Sequence, residues 1–250
     1  MKKHCVIILT ILTVNFIPVY GQETKDYFDK IVTVLKSEKN SIIISKRLDS
    51  LKSKYIPSRS NLNDYFDRDI DFGYHHQRIK LEINFDRFQI DFLKKNDTIL
   101  LTSLKTDGYK KLKFSQVDTS KATLYLKDRN KFYKSSKTIH KLIDELSLDE
   151  VFAFYCGDGS PKTERGLEIE KLVEDRNIEV LQEMLKSICI EIQAYGVAGS
   201  EMLVRQGYTL PTDINKIIKY IKERNSEAII CSGCLVGLVQ KLYNMNHNEK

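Results

Sequence analysis

The sequence predicts an α+β protein in which N-terminal helices and a small antiparallel sheet are followed by an all-α domain. Between residues 79 and 104, apolar and polar residues alternate, as in Ile79, Leu81, Ile83 and Phe85; this period is typical of half-buried strands. From Ser136 onward, apolar residues recur with helical spacing. We therefore expect a signal peptide over residues 1–21, an α+β domain over 22–135 and a helical domain over 136–250.

The first 21 residues have the features of a secretory signal. Lys2 and Lys3 precede a mostly apolar run from Val6 to Val19, and the small residue Gly21 follows it. The run is too short and too interrupted for a typical membrane span, although an uncleaved membrane anchor is the alternative. We expect cleavage after Gly21 and an exported protein, periplasmic or extracellular.

Within the α+β domain, the period of the apolar residues changes from helical to alternating. Apolar stripes predict helices over 26–35 and 42–55, the second of which ends before Pro57. Alternation predicts strands over 79–85, 88–92 and 98–104, with a turn at Lys95-Asn96-Asp97. A further strand over 122–126 is expected to complete the small sheet.

The C-terminal half contains a faint internal repeat. The pattern Ile178-x-x-Leu181-x-x-x-Leu185 recurs thirty-six residues later, beginning at Ile214. A period of this length is typical of HEAT or armadillo solenoids, although two copies also fit an ordinary helical bundle. Small residues at 196, 198 and 199 predict a close contact between helices. A last helix is expected to carry Cys231, Cys234, Leu235, Leu238 and Leu242 on one face.

Four cysteines remain after the expected signal peptide: Cys156, Cys189, Cys231 and Cys234. An even number in an exported protein predicts disulfides, and three pairings are open. Cys231-Ser-Gly-Cys234 has the spacing of a thiol–disulfide exchange site, but a thioredoxin-like fold needs more chain after the motif. We expect structural cysteines, as a Cys231–Cys234 bond, two buried thiols, or a bond to Cys156 or Cys189. A zinc site is less favoured because paired CxxC motifs are missing.

The densest cluster of possible metal ligands lies between residues 64 and 76. It contains Asp64, Asp67, Asp69, Asp71, His75 and His76. Asp67-x-Asp69-x-Asp71 resembles the start of a calcium loop, but Phe72 stands where that loop needs glycine and Arg78 where it needs glutamate. A looser divalent-metal site involving Asp67, Asp69, Asp71, His75 and His76 is the alternative to a polar edge strand.

Basic residues are concentrated between Lys105 and Lys141, where eleven Lys or Arg accompany three Asp. Aromatic residues lie among them, a combination also found in nucleic-acid-binding proteins. The expected export argues against nucleic acid. We expect a solvated basic face that is weakly attracted to an anionic envelope surface.

The stretch from Val151-Phe-Ala-Phe-Tyr-Cys-Gly157 to Cys231-Ser-Gly-Cys234 resembles the tail of uncharacterised exported bacterial proteins, which have a helical, HEAT-like tail ending near a CSGC motif. The resemblance implies no known activity. The sequence contains no Gly-x-Ser-x-Gly, no phosphate-binding loop and no His-Glu-x-x-His.

We therefore expect a non-enzymatic protein-binding or structural module of the cell envelope, with another protein as its partner and no cofactor. One alternative is an exported metal-dependent hydrolase that uses the Asp64–His76 region. The other is a periplasmic immunity or inhibitor protein. Convergence of the aspartates and histidines of that region on one pocket would favour the hydrolase.

Overall fold

The computed structural model describes residues 17–55, 61–83, 86–107 and 111–243. The expected signal peptide falls mostly on residues 1–16, outside these ranges, and its last residues belong to the first described helix. Within the described ranges, no helix is long and apolar enough to cross a membrane.

The described residues form eight helices and seven strands. The helices are α1 (Ile17–Ser37), α2 (Ser41–Tyr55), α3 (Thr119–Tyr133), α4 (Ile139–Leu146), α5 (Glu164–Glu174), α6 (Ile178–Leu185), α7 (Ile190–Arg205) and α8 (Thr212–Arg224). The strands are β1 (Asn61–Asp69), β2 (His75–Ile83), β3 (Asp86–Lys95), β4 (Thr98–Thr106), β5 (Lys113–Val117), β6 (Glu227–Ser232) and β7 (Leu235–Lys241). Strands β1 to β5 form one antiparallel sheet in sequential order, and β6 pairs with β7.

The chain divides into two compact units. The first comprises Met1–Tyr65 and Gln77–Val117, and the second comprises Phe66–His76 and Asp118–Lys250. The second unit is therefore discontinuous in sequence, because the tip of the β1–β2 hairpin belongs to it.

In the first unit, two helices pack against the sheet. Their shared core contains Phe28, Ile31 and Leu35 of α1, Ile44 and Leu48 of α2, and residues of β2 to β4 that include Ile79, Leu81, Phe88 and Ile90. The predicted helices and the alternating strands are confirmed within the described ranges, and residues 84 and 85 of the strand predicted over 79–85 lie outside them. Asn96 occupies the predicted turn between β3 and β4 with a φ of 53°, a conformation that asparagine tolerates better than most residues.

The strand predicted over 122–126 is wrong, because these residues lie within α3. The Asp118 side chain accepts a hydrogen bond from the Lys121 N–H and caps this helix. Ala122, Tyr125, Leu126, Arg129 and Tyr133 are buried along one side of it, which is helical spacing. The fifth strand is instead β5, which pairs antiparallel with β4.

The prediction of an all-α domain over 136–250 is also wrong, because β6 and β7 form an antiparallel hairpin near its end. Gly233 has a φ of 58°, and it is the first of the two residues that connect the strands. This is the position at which a type II′ turn requires glycine. The expected last helix with Cys231, Cys234 and Leu238 on one face does not form.

The helices of the predicted repeat exist as α6 and α8, but their surroundings differ. Helix α6 is followed by the long helix α7, whereas α8 is followed by strand β6, so the chain does not repeat a helix pair. The predicted close helix contact is confirmed: a Cβ atom on Gly196 would lie 2.8 Å from the Leu185 backbone nitrogen. Helix α7 can therefore lie directly against α6.

Candidate functional site

The tip of the β1–β2 hairpin, in the second unit, turns sharply between Ile70 and Tyr74. The Ile70 N–H donates a hydrogen bond to the Tyr74 carbonyl oxygen at 3.0 Å, and the Tyr74 N–H donates to the Asp71 carbonyl oxygen at 2.9 Å. Phe72 and Gly73 complete the turn with φ angles of 57° and 75°. The Asp71 side chain is buried, whereas Phe72 is partly exposed.

Asp71 is the centre of a buried hydrogen-bond network. Its carboxylate accepts from Arg129 Nε at 2.9 Å, from Arg224 Nη1 at 2.6 Å and from Tyr133 Oη at 2.7 Å. Burial, together with the negative charge of Asp71, raises the pKa of Tyr133 well above its ordinary value. Tyr133 therefore remains a hydroxyl donor, and the network fixes the hairpin tip against α3 and α8.

A second buried ion pair lies nearby in the same unit. Arg68 Nη1 donates to Glu191 Oε1 at 2.5 Å, and Glu191 also accepts from the Ile229 N–H at 2.7 Å. Burial acts to raise the pKa of Glu191, but the charge and hydrogen bonds of Arg68 outweigh it, so the pKa is lowered overall. Glu191 thus joins β1, α7 and β6 as a carboxylate.

The five residues of the alternative metal site do not all meet in one place. His75 lies on the surface with Nδ1 3.5 Å from Asp67 Oδ1 and Nε2 3.2 Å from Asp69 Oδ1. His76 is buried and packs edge-on against Phe66, with ring centroids 4.9 Å apart, while Asp71 points into the Arg129 and Arg224 network. The Asp64 side chain lies outside the described residues. Among the described residues, no group of three or more His, Cys, Asp or Glu is placed to hold a metal ion.

Phe72 forms one wall of a concave site of about 470 Å³, which we call the Phe72 pocket. It is lined by Phe72, Asp128, Lys131, Phe132, Lys134, Asp213, Lys216 and Ile217. The Phe72 ring stacks on Tyr220 with centroids 5.9 Å apart and meets Phe132 edge-on at 5.8 Å. The Phe72 N–H donates to Tyr220 Oη at 3.2 Å. The pocket therefore has a fixed aromatic wall.

The rim of the Phe72 pocket is basic. Lys134 Nζ lies 2.9 Å from Asp213 Oδ2, so these two charges compensate each other. Lys131 and Lys216 line the same pocket, and neither has an ion-pair or hydrogen-bond partner in the part of the chain that the structure describes. Asp128, which carries the opposite charge, lines the same pocket. The arrangement suits a ligand that combines a negative charge with an apolar group.

The cysteines take one of the arrangements that the sequence left open. Cys156 and Cys231 form a disulfide across 75 residues. It joins the loop after Phe152 to the β6–β7 hairpin, and the Gly157 N–H donates to the Gly233 carbonyl oxygen beside it at 2.8 Å. Cys189 is a buried free thiol and Cys234 an exposed one. A disulfide fits an oxidising compartment.

Sequence reasoning missed the residues that build the Phe72 pocket. In the sequence, Phe72 stands out only as a departure from a calcium loop. The one local signal is Gly73, because glycine is typical of tight turns. Lys131 belongs to the predicted basic stretch, but nothing near Lys216 in the sequence indicates that the two lysines share a pocket.

Comparison with family models, with curated proteins and with solved structures finds no match to this chain. Its function is therefore inferred from the chemistry of the described residues. That chemistry is an aromatic wall, two lysines without an ion-pair partner among the described residues, and a rigid support beneath them.

Proposed function

We propose that this protein is an exported, non-enzymatic binding module that holds an acidic segment of another protein in the Phe72 pocket. The observation that carries the proposal is the exposure and backbone conformation of Phe72. This bulky apolar side chain is 36% exposed, and it stands on a backbone with a φ of 57°. A large residue in that conformation is rare, and such positions cluster at sites of function.

Backbone strain offsets the stability that phenylalanine gains at this position from its ring contacts with Tyr220 and Phe132. A strained residue of this kind costs about 1–3 kcal/mol, and asparagine or glycine would adopt the same backbone more easily. The buried Asp71 network and the bond from the Phe72 N–H to Tyr220 hold the turn in place despite this cost. An aromatic ring presented to solvent in this way is suited to contact an apolar group of a ligand.

The lysines determine the charge of the proposed ligand. Lys131 and Lys216 are exposed and line the pocket together with Phe132 and Ile217. Glutamate or aspartate side chains would pair with the lysines, while a neighbouring aromatic or aliphatic side chain would rest on the Phe72 wall. Because exposed charges are screened, we expect the affinity to fall as salt is added.

The sequence predicts a basic face between Lys105 and Lys141, and this proposal assigns the binding to one pocket that contains Lys131 of that stretch. It also includes an immunity or inhibitor protein as a special case, in which the bound partner is a toxin or an enzyme. The metal-dependent hydrolase is not favoured, because it relied on Asp67, Asp69, Asp71, His75 and His76 meeting in one pocket. In the structure Asp71 and His76 are buried in different surroundings.

The test is binding of a labelled peptide, Glu-Glu-Phe-Glu-Glu-Phe, measured by fluorescence anisotropy at low salt. We expect Phe72→Asn, Lys131→Gln and Lys216→Gln each to weaken binding several-fold. The matched control is Lys219→Gln, on the same helix as Lys216, because Lys219 pairs with Glu223 at 3.6 Å and does not line the pocket. We expect this control to bind like the parent.

Phe72→Asn separates binding from folding. Relief of backbone strain offsets the lost contacts with Tyr220 and Phe132, so we expect the free energy of unfolding to change by less than about 1.5 kcal/mol. Equal binding of a peptide with lysine in place of glutamate would contradict the proposal. So would parent-like binding by both the Phe72→Asn and the Lys216→Gln proteins.

A further inference from the structure

The exposed thiol of Cys234 lies beside the Cys156–Cys231 disulfide. Cys234 is the second of the two residues that connect β6 to β7, and Cys231 precedes it by three positions. The Cys231 Sγ atom is 3.3 Å from the Gly233 carbonyl oxygen. That oxygen belongs to the peptide unit that joins Gly233 to Cys234, so the disulfide contacts the backbone that carries the free thiol.

The disulfide and the thiol are both accessible to reaction. Cys234 is exposed, and the two bonded cysteines are only partly buried. Cys189, the other free cysteine of the described residues, is buried, and burial raises the pKa of its thiol. Because the thiolate is the form that attacks a disulfide, Cys234 and not Cys189 is placed to react with the bond.

Strand β6 is also held by contacts other than the disulfide. The Phe152 N–H donates to the Ile229 carbonyl oxygen at 2.8 Å, and the Ile229 N–H donates to Glu191 Oε1 at 2.7 Å. Breaking the bond to Cys156 would therefore leave β6 attached to the rest of the unit. The segment that would lose its covalent tie is the loop over 156–161.

We propose that Cys234 is an exchange thiol that transfers the disulfide from Cys156–Cys231 to Cys231–Cys234 and thereby releases the loop over 156–161. The Cys234 thiol loses its proton to solvent, and its thiolate attacks Cys231 Sγ. The Cys231–Cys234 bond forms as the Cys156–Cys231 bond breaks, and Cys156 leaves as a thiolate that takes up a proton. One disulfide and one accessible thiol are present before and after the step, so it needs no oxidant or reductant.

Cys231 is the expected target of the attack, and Cys156 is the leaving group. Cys231 and Cys234 belong to one hairpin and have the spacing of the Cys-x-x-Cys pairs of disulfide oxidoreductases, whereas Cys156 is in a separate loop. The resting bond closes 75 residues, and a Cys231–Cys234 bond would restrict the unfolded chain far less. The exchanged form should therefore unfold more easily. An exchangeable bond goes beyond the structural role that the sequence predicts for these cysteines.

The test is slow thiol trapping in the folded, full-length Cys5→Ser protein, which serves as the parent. The protein is kept in dilute iodoacetamide at mildly alkaline pH without reductant or oxidant. It is then quenched with acid and digested with pepsin, so that no exchange occurs during the digestion. Mass spectrometry identifies which cysteine is alkylated and which bond remains. We expect one product alkylated on Cys234, and a second that is alkylated on Cys156 and contains a Cys231–Cys234 bond.

Two variants test whether the position of Cys234 matters. Cys234→Ser should lower the alkylation of Cys156 at least about tenfold, because it removes the attacking thiol from the side of the bond. Adding Val204→Cys to Cys234→Ser restores an exposed thiol on α7, where Val204 is 48% exposed. This matched control should leave Cys156 as unreactive as it is in Cys234→Ser. The share of the second product should not change with protein concentration, because the attack occurs within one chain.

Failure to find alkylated Cys156 in the parent, even at the slowest trapping, would overturn the inference. So would a Val204→Cys control that alkylates Cys156 as extensively as the parent, because any exposed thiol would then exchange with this bond. A product with alkylated Cys231 and a Cys156–Cys234 bond would show attack on the other sulfur and would also contradict the inference. None of the residues of the Phe72 pocket takes part in the exchange, so each outcome leaves the peptide proposal to its own test.

Discussion

Replacing Asp71 by asparagine should strongly destabilise the second unit. The Asp71 carboxylate is 2% exposed, and it is the shared ion-pair partner of Arg129 and Arg224. The asparagine amide carries no negative charge, and its N–H group would face the N–H and O–H donors that surround Asp71. Removing one member of a buried ion pair costs about 3–5 kcal/mol, because the remaining charge stays buried without compensation.

The structure places the expected loss of unfolding free energy in the lower part of that range. Arg129 still donates to the carbonyl oxygens of Lys186 and Ser187, and Arg224 still donates to Gln193 Oε1 at 2.7 Å. Their guanidinium groups therefore keep some hydrogen bonds after the substitution. We expect a loss of about 3–4 kcal/mol, which is a large part of the total stability of a typical domain.

The assay is urea unfolding followed by circular dichroism. Asp69→Asn is the matched control: its carboxylate is on the same hairpin, 60% exposed, and faces His75. Because exposed ion pairs contribute little, the control should lose less than about 1 kcal/mol. If Asp71→Asn unfolds within 1 kcal/mol of that control, the network does not hold the hairpin tip, and the reasoning about Phe72 loses its support.

Three further predictions follow from other buried groups. In a Cys5→Ser background, a thiol reagent should modify Cys234 rapidly and Cys189 only on unfolding, because Cys189 is buried and burial raises its pKa; two fast thiols would refute this. Since the pKa of Glu191 is lowered on folding, its stabilisation should be complete above the unfolded pKa of 4.5 and lost as the pH falls below it. The difference in unfolding free energy between the parent and Glu191→Gln should accordingly shrink below pH 4.5, and a difference that grows would show the sign to be wrong. Gly196→Ala should cost about 1–3 kcal/mol by calorimetry, because its Cβ would lie 2.8 Å from the Leu185 nitrogen; an unchanged melting temperature would show that α6 and α7 can separate freely.

The sequence predicted β2 to β4 because apolar residues alternate with polar ones along them, although β3 and β4 are buried on both faces. Residues such as Ile79 and Leu81 alternate with Lys80 and Glu82, and this period has no helical interpretation. The β6–β7 hairpin was wrongly predicted as a helix, because its apolar residues do not alternate in a way that excludes helical spacing. Cys231, Leu238 and their neighbours fit a helical stripe as well as they fit two strands, and the decisive signal was the two-residue turn containing Gly233.

The candidate site was located by sequence in part. The acidic stretch around Asp71 stands out in the sequence, but spacing alone does not show which carboxylate turns inward. The groups that neutralise Asp71 lie 58 and 153 residues further along the chain. Neither Arg129 nor Arg224 has a local feature that marks it as a partner of a hairpin, so only the tertiary structure reveals the network.

The discontinuity of the second unit has a consequence for the order of folding. The unit lacks its central anion until Phe66–His76 returns to it, although that segment is synthesised long before Arg224. A fragment that begins at Asp118 would carry Arg129 and Arg224 with no carboxylate between them, and we expect it to remain loosely packed. A synthetic peptide containing Phe66–His76 would supply the missing charge, so the protein is suited to reconstitution from two pieces, with closure of this long loop as a late step in folding.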